Sequence, residues 1–426
     1  LRVLLVAYDN GSYTHWFPQG LGYIATALRK DHEVTIYNQD LHHYPDSHLT
    51  DYLNKHRFDM VGVGVCGGYY QHQKLISISK AINESNQRPH YVIGGHGPSP
   101  EPQYFLDQTG ADRVIIGEAE NAIINSEEPV NIDAFPAYDL FPMEYYRLLR
   151  MPHCKPTDFV MPILSGRGCP FQCTFCYRMT NGIRLRSTES IVGEVKLLKR
   201  NYGITYIAFA DELLMTGPQR TIEICEALLP LDIKWDCNGR LNYASPKILK
   251  LMKRSGCVFI NYGIESLDNQ VLENYNKKLT EQQIINGVEA TLKSGISPGL
   301  NIIFGGIGDT AETLNKSVDF LLKYDDCTQM RTIRPVTPYP GSPLYDTAIE
   351  RGLLTGPEDF YTKHTNSDLL SVNFTNLTDS VFHQSLLIAN TKLINNYFIN
   401  KKRYMTKQSV DLYLNNNTNF RGYRQS

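Results

Sequence analysis

The residues best suited to difficult chemistry are three cysteines, Cys169, Cys173 and Cys176, in the stretch Gly168-Cys169-Pro170-Phe171-Gln172-Cys173-Thr174-Phe175-Cys176-Tyr177. The spacing is C-x3-C-x2-C, with no fourth cysteine nearby. Thiolates hold iron–sulfur clusters, and a complete four-iron cubane takes four of them. Three on one short loop leave one iron open to a small molecule, and an open position separates a catalytic metal centre from a closed structural one. A structural zinc site is the rival reading, with Cys154 or His153 as fourth ligand. Zinc sites usually come as paired C-x2-C knuckles, however, and the sequence has no second knuckle.

Strand and helix patterns around this loop alternate. Strands are expected at 159–164, 204–210, 233–237, 258–262, 299–304 and 330–336, with helices at 188–201, 218–229, 246–255, 281–293 and 310–323. Six such units describe a partial (βα)6 barrel, whose site belongs at the carboxyl ends of its strands. Polar or glycine residues stand there directly after apolar runs: Asp211-Glu212, Asn238-Gly239-Arg240, Gly263-Ile264-Glu265-Ser266, and Asn301 through Gly305-Gly306. Any one of them alone reads equally as a helix cap or turn.

The first 128 residues alternate in the same way. Strands at 3–8, 33–37, 60–65, 90–93 and 114–116, with helices at 21–30, 50–56, 71–83 and 102–108, predict a parallel sheet covered on both faces. Turn residues gather beyond the carboxyl ends of these strands, where such folds bind ligands. They are Asp9 to Tyr13, then Cys66-Gly67-Gly68-Tyr69-Tyr70, then Gly94-Gly95-His96-Gly97-Pro98, then Gly117-Glu118. Glycine in these turns lets a large ligand approach the backbone.

The cysteine loop is similar to the signature of the radical S-adenosylmethionine (SAM) enzymes. Phe17-Pro18-Gln19-Gly20-Leu21-Gly22-Tyr23-Ile24-Ala25, Ile93-Gly94-Gly95-His96-Gly97-Pro98-Ser99-Pro100 and Ile116-Gly117-Glu118-Ala119-Glu120 look like the cobalamin-binding domain found ahead of many radical SAM modules. Pro136-Ala137-Tyr138-Asp139-Leu140-Phe141-Pro142 is similar to the linker of that family. The resemblance runs from residue 1 to about 340 in consistent motif order and is to the class B, methylase-like members. It implies a cobalamin-binding domain at 1–128, a linker at 129–158, a radical SAM barrel at 159–343 and a mainly helical region at 344–426. Expected helices in the last region are 346–352 and 381–397, followed by a polar, asparagine-rich end at 401–426.

The resemblance further implies a [4Fe-4S] cluster on Cys169, Cys173 and Cys176, SAM on its open iron, and cobalamin between the two domains. Asp211, Glu212 and Glu265 could face the cationic sulfonium and amino groups of SAM. Asn238, Glu265 or Ser266 could meet its ribose, and Arg240 its carboxylate. Tyr177, Asn301 and Gly305 complete the expected SAM contacts. The expected cobalamin contacts are Tyr13, Gly67, Gly68, Tyr69, Tyr70, Gly94, Gly95, His96, Gly117 and Glu118. The D-x-H-x-x-G motif that supplies a cobalt ligand in classical cobalamin domains is missing, since Asp9-Asn10-Gly11 stands there with His15 out of register. Asp40-Leu41-His42-His43-Tyr44-Pro45 imitates the motif and reads as a surface loop, leaving Tyr69 and Tyr70 as candidates to cover the lower face.

The implied reaction starts with one electron from a flavodoxin- or ferredoxin-type donor. A 5′-deoxyadenosyl radical then abstracts hydrogen from an unactivated sp3 carbon of a peptide, protein side chain or small metabolite, which methylcobalamin methylates. A non-methylating rearrangement or oxidative cyclisation uses the same motifs, and a cobalamin carrier or sensor with a purely structural cluster is a third reading.

Bulk properties fit an ordinary soluble globular protein. The 426 residues suffice for two or three domains, and 42% are apolar and 20% charged. A net charge of −2 gives no reason to expect nucleic acid. No apolar run approaches the roughly 20 residues of a membrane span, and residues 1–8 read as a buried strand rather than a signal peptide. Most of the nine cysteines lie in the cluster loop or in apolar stretches, which suits a reducing cytoplasm.

Overall fold

Five short apolar strands build the first sheet: β1 (Arg2–Ala7), β2 (Glu33–Asn38), β3 (Met60–Gly64), β4 (His90–Gly94) and β5 (Arg113–Ile115). All pair in parallel, in the order β2-β1-β3-β4-β5. The computed structural model describes residues 1–66, 68–127 and 129–417. Helices α1 (Gln19–Leu28), α2 (Gln39–His42), α3 (Asp46–Lys55), α4 (Tyr69–Asn83), α5 (Pro102–Thr109) and α6 (Ala119–Ala122) cover the sheet. Alternation along β1 sends Val3 and Leu5 to one apolar cluster and Leu4 and Val6 to another, so both faces are buried, as a parallel sheet requires. Strand order reverses between β1 and β3. A crevice opens at such a point beyond the carboxyl ends.

The second sheet has six parallel strands in the order β13-β12-β11-β10-β9-β6. They are β6 (Val160–Ile163), β9 (Tyr206–Phe209), β10 (Lys234–Gly239), β11 (Cys257–Glu265), β12 (Ser297–Phe304) and β13 (Arg334–Pro335). Helices α7 (Thr188–Tyr202), α8 (Pro218–Leu228), α9 (Pro246–Arg254), α10 (Asn269–Asn274), α11 (Glu281–Lys293) and α12 (Ala311–Tyr324) follow the strands. Ile207, Trp235, Ile260 and Ile302 lie with these helices in one core, while Val160, Tyr206 and Ala208 form a small cluster on the opposite, lumenal face. The expected half-barrel is thus observed.

Between β6 and β9 lies a feature absent from the sequence reading. Strands β7 (Gly166–Gly168) and β8 (Ile183–Leu185) form an antiparallel pair, and the cysteine loop is its connection. Three-residue strands carry too little periodicity to be read from sequence.

The segment joining the two sheets is pinned at both ends. Phe17 packs among Tyr138, Phe141 and Tyr146 with ring centroids 5.0, 4.9 and 5.3 Å away. The Ala137 N–H donates to the Gly22 carbonyl at 3.0 Å, and a Cβ on Gly22 would stand 2.7 Å from Pro136. On the barrel side, the Tyr138 hydroxyl donates to buried Glu194 at 2.6 Å, as does Arg186 at 2.5 Å.

Two local expectations are corrected. The Asp40 segment is a surface loop only in its second half: Gln39–His42 form α2, with Gln39, Asp40 and Leu41 buried, while His43, Tyr44 and Pro45 leave the helix exposed. Asp40 accepts from the Asn10 N–H at 2.8 Å and lies 3.0 Å from His15 Nδ1, so its burial is satisfied. At the other end, α13 (Pro343–Glu350) and α14 (Pro357–Lys363) precede a 37-residue helix, α15 (Asp379–Asn415), that continues well beyond residue 397. Its buried residues are Phe382, Leu386, Ala389 and Leu393, so the apolar period that marks a helix in sequence stops before the helix does. Among the described residues no helix is long and apolar enough to cross a membrane.

Candidate active site at the barrel mouth

The cysteine loop is held from three sides. Gly168, at φ +88°, closes the antiparallel pair so tightly that a Cβ would stand 2.4 Å from the Gly182 carbonyl oxygen. The Thr174 N–H donates to the Tyr275 carbonyl at 3.0 Å, and Asn276 Nδ2 donates to the Gln172 carbonyl at 2.7 Å. From α13, the Leu344 N–H donates to the Thr174 carbonyl at 2.8 Å. Arg240 lies over the Phe171 ring at 3.6 Å and donates to the carbonyls of Lys277 and Lys278. Phe175 meets Tyr275 edge-on at 5.2 Å.

Electrostatics suit three thiolates with a shared partner. Burial first, then the neighbouring Cys173 and Cys169, push the Cys176 thiol up to about 11. Cys169 is raised by burial and by Cys173, against the pull of Arg240. Sulfurs that oppose one another's ionisation would be relieved by iron, so metal uptake and deprotonation are coupled here. Among the described residues no three His, Cys, Asp or Glu converge as ligands of a single ion; thiolates on separate irons stand farther apart. The zinc alternative loses its fourth ligand. Cys154 packs beside Val160, Tyr206 and Ala208, near the amino-terminal ends of β6 and β9, and His153 precedes it there.

The expected SAM residues divide into two groups. Glu212 and Asn301 are exposed, and Glu212 is close enough to act on Cys169, Cys176 and His96. Asp211 is buried and accepts from the Ser165 N–H at 2.9 Å and hydroxyl at 2.7 Å, with burial raising it to about 6. Glu265 takes Lys277 at 2.8 Å from a backbone with φ +71°, beside a register shift in β11. Ser266 accepts from the Asp268 N–H at 3.1 Å. Gly305 and Gly306 donate to Asp309 at 2.9 and 3.0 Å, closing the glycine turn on a buried carboxyl. Asp211, Arg240, Glu265 and Gly305 therefore all have partners within the protein.

Asn238 belongs to an amide ladder whose middle member, Asn261, is not among the expected site residues. Asn301 Nδ2 donates to Asn261 Oδ1 at 2.8 Å, Asn261 Nδ2 to Asn238 Oδ1 at 3.0 Å, and Asn238 Nδ2 to the Asp211 carbonyl at 2.7 Å. The signal for Asn261 was a polar residue inside an apolar strand.

On the facing domain, the loops after β4 and β5 reach the cysteine loop. Tyr177 meets His96 edge-on at 6.0 Å, and a Cβ on Gly341 would touch both Tyr177 and Pro100. Arg167 of β7 reaches Glu118 at 3.0 Å and Glu120 at 2.5 Å, and Arg184 of β8 also pairs with Glu118. Burial disfavours a charged Glu118, but the two arginines outweigh it and hold its pKa low. Gly95, at φ +105°, has room for no side chain, because a Cβ would lie 2.4 Å from the Val65 carbonyl oxygen. Gly117, at φ +81°, has nothing within 4 Å of a Cβ position, so its backbone borders open space. At the crevice between β1 and β3, Tyr70 donates to the Asp9 carbonyl at 3.3 Å, while Tyr13 is largely exposed. Gly94 ends β4, and Gly68 precedes α4. Gly67 and the side chain of Tyr69 lie outside the described residues.

Comparison with known proteins agrees with this two-part site. The model of the radical SAM superfamily matches residues 163–321, and that of the B12 binding domain matches residues 9–125. An uncharacterised methyltransferase of Pyrococcus horikoshii is 30% identical over 376 residues, covering 79% of either chain. The chain belongs to the cobalamin-binding radical SAM enzymes. Its cofactors are those of the family: a [4Fe-4S] cluster, SAM and cobalamin. Among relatives of this enzyme, the anaerobic magnesium-protoporphyrin IX monomethyl ester cyclase of Rubrivivax gelatinosus is 23% identical, covering 81% of this chain and 69% of its own. The fold is also that of the radical SAM methyltransferase TsrM from Kitasatospora setae, with a TM-score of 0.66 at 18% identity over 84% of this chain and 79% of that one.

Proposed function

We propose that this enzyme transfers a methyl group to an unactivated sp3 carbon of a peptide, protein side chain or small metabolite. The observation that carries the reading is the meeting of Tyr177 with His96, which sets the cysteine loop against the glycine turn of the B12 binding domain. One carbon held in the intervening cleft could then be reached from both cofactors. When bound, the cluster and SAM supply hydrogen-atom abstraction, and cobalamin supplies the methyl group.

The chain's own part is positioning and exclusion of water. Cys169, Cys173 and Cys176 would hold the cluster, with Arg240 keeping their loop in place. Glu212 and Asn301 are the exposed groups free to meet SAM or substrate, while Asp211, Glu265 and Gly305 shape the walls. Gly94, Gly95, His96 and Gly117 would border cobalamin, with Tyr13, Gly68 and Tyr70 at the neighbouring crevice. The chemistry needs a one-electron reductant, and a donor of flavodoxin or ferredoxin type would supply it.

The deciding experiment is anaerobic incubation of the reconstituted enzyme with reductant, cobalamin and SAM bearing a deuterated methyl group, read by mass spectrometry. Deuterated methylcobalamin together with 5′-deoxyadenosine, the latter lost in Cys173→Ala, is the expected result. Deoxyadenosine without any label on cobalamin would overturn methyl transfer and favour chemistry of the kind named for the Rubrivivax relative.

A further inference from the structure

We propose that Arg334 anchors an anionic group of the substrate, a carboxylate or a phosphate, and that Asp368 occupies the place of this group until substrate arrives. The proposal deepens the methyl-transfer reading by naming a substrate class and rests on that reading only for the word substrate.

The register of β13 places the residue. Arg334 pairs with Ile303 of β12, at the carboxyl end of the sheet. Along β12, Leu300, Ile302 and Phe304 belong to the core beneath the helices, so Asn301 and Ile303 face the lumen. Paired residues on adjacent strands share a face, and Arg334 therefore points to the lumen beside Asn301. Their Cα atoms are about 8 Å apart, from ordinary strand rise and spacing. One anion-bearing molecule can touch both.

Arg334 is built unlike a structural arginine. Its side chain and that of Asp368 are each 57% exposed, and one contact joins them, Nε to Oδ1 at 2.9 Å. Among the described residues Nη1 and Nη2 have no hydrogen-bond partner. Arg331, three residues earlier, shows the contrast: it is buried, pairs with Asp325 at 2.8 Å and donates to the Pro298 carbonyl at 2.9 Å. An exposed, single-contact ion pair contributes little to stability and is readily exchanged. A bidentate oxyanion would satisfy the guanidinium better than Asp368 does.

The amide ladder adds a second recognition element. Asn301 Nδ2 is committed to Asn261, in a chain that ends on the Asp211 carbonyl. Asn301 Oδ1 is left facing the lumen as an acceptor. The complementary molecule carries an N–H or O–H donor in addition to its anionic group. This pairing of polar anchors disfavours a purely hydrocarbon substrate.

The test is arginine-directed labelling with phenylglyoxal on the anaerobically reconstituted enzyme, mapped by mass spectrometry, with Arg254 on α9 as internal reference. Asp368→Asn should raise labelling of Arg334 by about threefold, since it removes the competing carboxylate. In that variant, millimolar succinate or inorganic phosphate should restore protection. Protection by succinate alone assigns a carboxylate, and protection by phosphate alone assigns a phosphate ester. If neither anion changes Arg334 labelling relative to Arg254, the proposal is overturned. No turnover is needed, so this failure leaves methyl transfer standing, and absence of label on cobalamin leaves the anion site standing.

Discussion

Arg167 lies 2.5 Å from Glu120, and this contact ties the strand entering the cysteine loop to the end of the first sheet. Glu118, 3.0 Å from the same guanidinium, and Arg184 complete a mixed ion cluster across the domain boundary. Arg167 also lies over the Tyr23 ring at 4.8 Å, so its removal would uncover apolar surface as well as two carboxylates.

Arg167→Met should therefore destabilise the protein by about 3 kcal/mol, the scale seen when one partner of a largely buried pair is removed. Thermal unfolding checks this, and iron content after reconstitution should fall with it. Unchanged melting and full iron loading would show that the ion cluster does not hold the loop.

Arg240→Lys keeps the charge and loses the planar contact with Phe171. The carbonyls of Lys277 and Lys278 both accept from one guanidinium nitrogen, Nη2, and lysine has no planar group to hold a donor there while covering the ring. The expected cost is about 1–2 kcal/mol, together with faster loss of the cluster on exposure to a chelator. The decay of cluster absorbance with time reports it.

Gly95→Ala places a methyl 2.4 Å from a backbone oxygen at a positive φ. The atoms it meets are all backbone of Val65 in β3's exit turn, with no flexible side chain to give way, so a loss of about 2–3 kcal/mol is expected. Cobalamin affinity, read from the absorbance of bound cofactor, should drop. Gly117→Ala should strain its turn less, because open space surrounds the added methyl.

Asp236 predicts a pH dependence. It is buried, one of its carboxylate oxygens has no partner, and burial raises it to about 7 despite the Tyr206 hydroxyl. The folded state keeps this proton where the unfolded chain has lost it, so the contribution of Asp236 to stability falls as pH rises from about 4 to 7. Above pH 7 the penalty is fully present. Asp236→Asn should flatten this fall, and melting temperatures compared at pH 5 and pH 8 should differ less in the variant. An equal difference in both proteins would mean that Asp236 ionises normally.

The sequence by itself determined the cluster chemistry, because C-x3-C-x2-C is a local property of eight residues. It also determined both sheets. Apolar strands alternating with amphipathic helices allow few other arrangements, and the glycines beyond β4 and β5 stand at the edge where parallel sheets of this kind take ligands. What it could not carry were relations between distant residues. Asp40 looked like loop because its partners, Asn10 and His15, lie 25 or more positions away. Arg240 looked like a ligand clamp, and only packing placed it on Phe171. Asn261 joined Asn238 and Asn301 only once three strands lay side by side. Hydrogen bonds and ion pairs that span the fold are set by register and domain contact, and tertiary structure alone decided which polar groups at the barrel mouth are already paired and which remain free to meet a ligand.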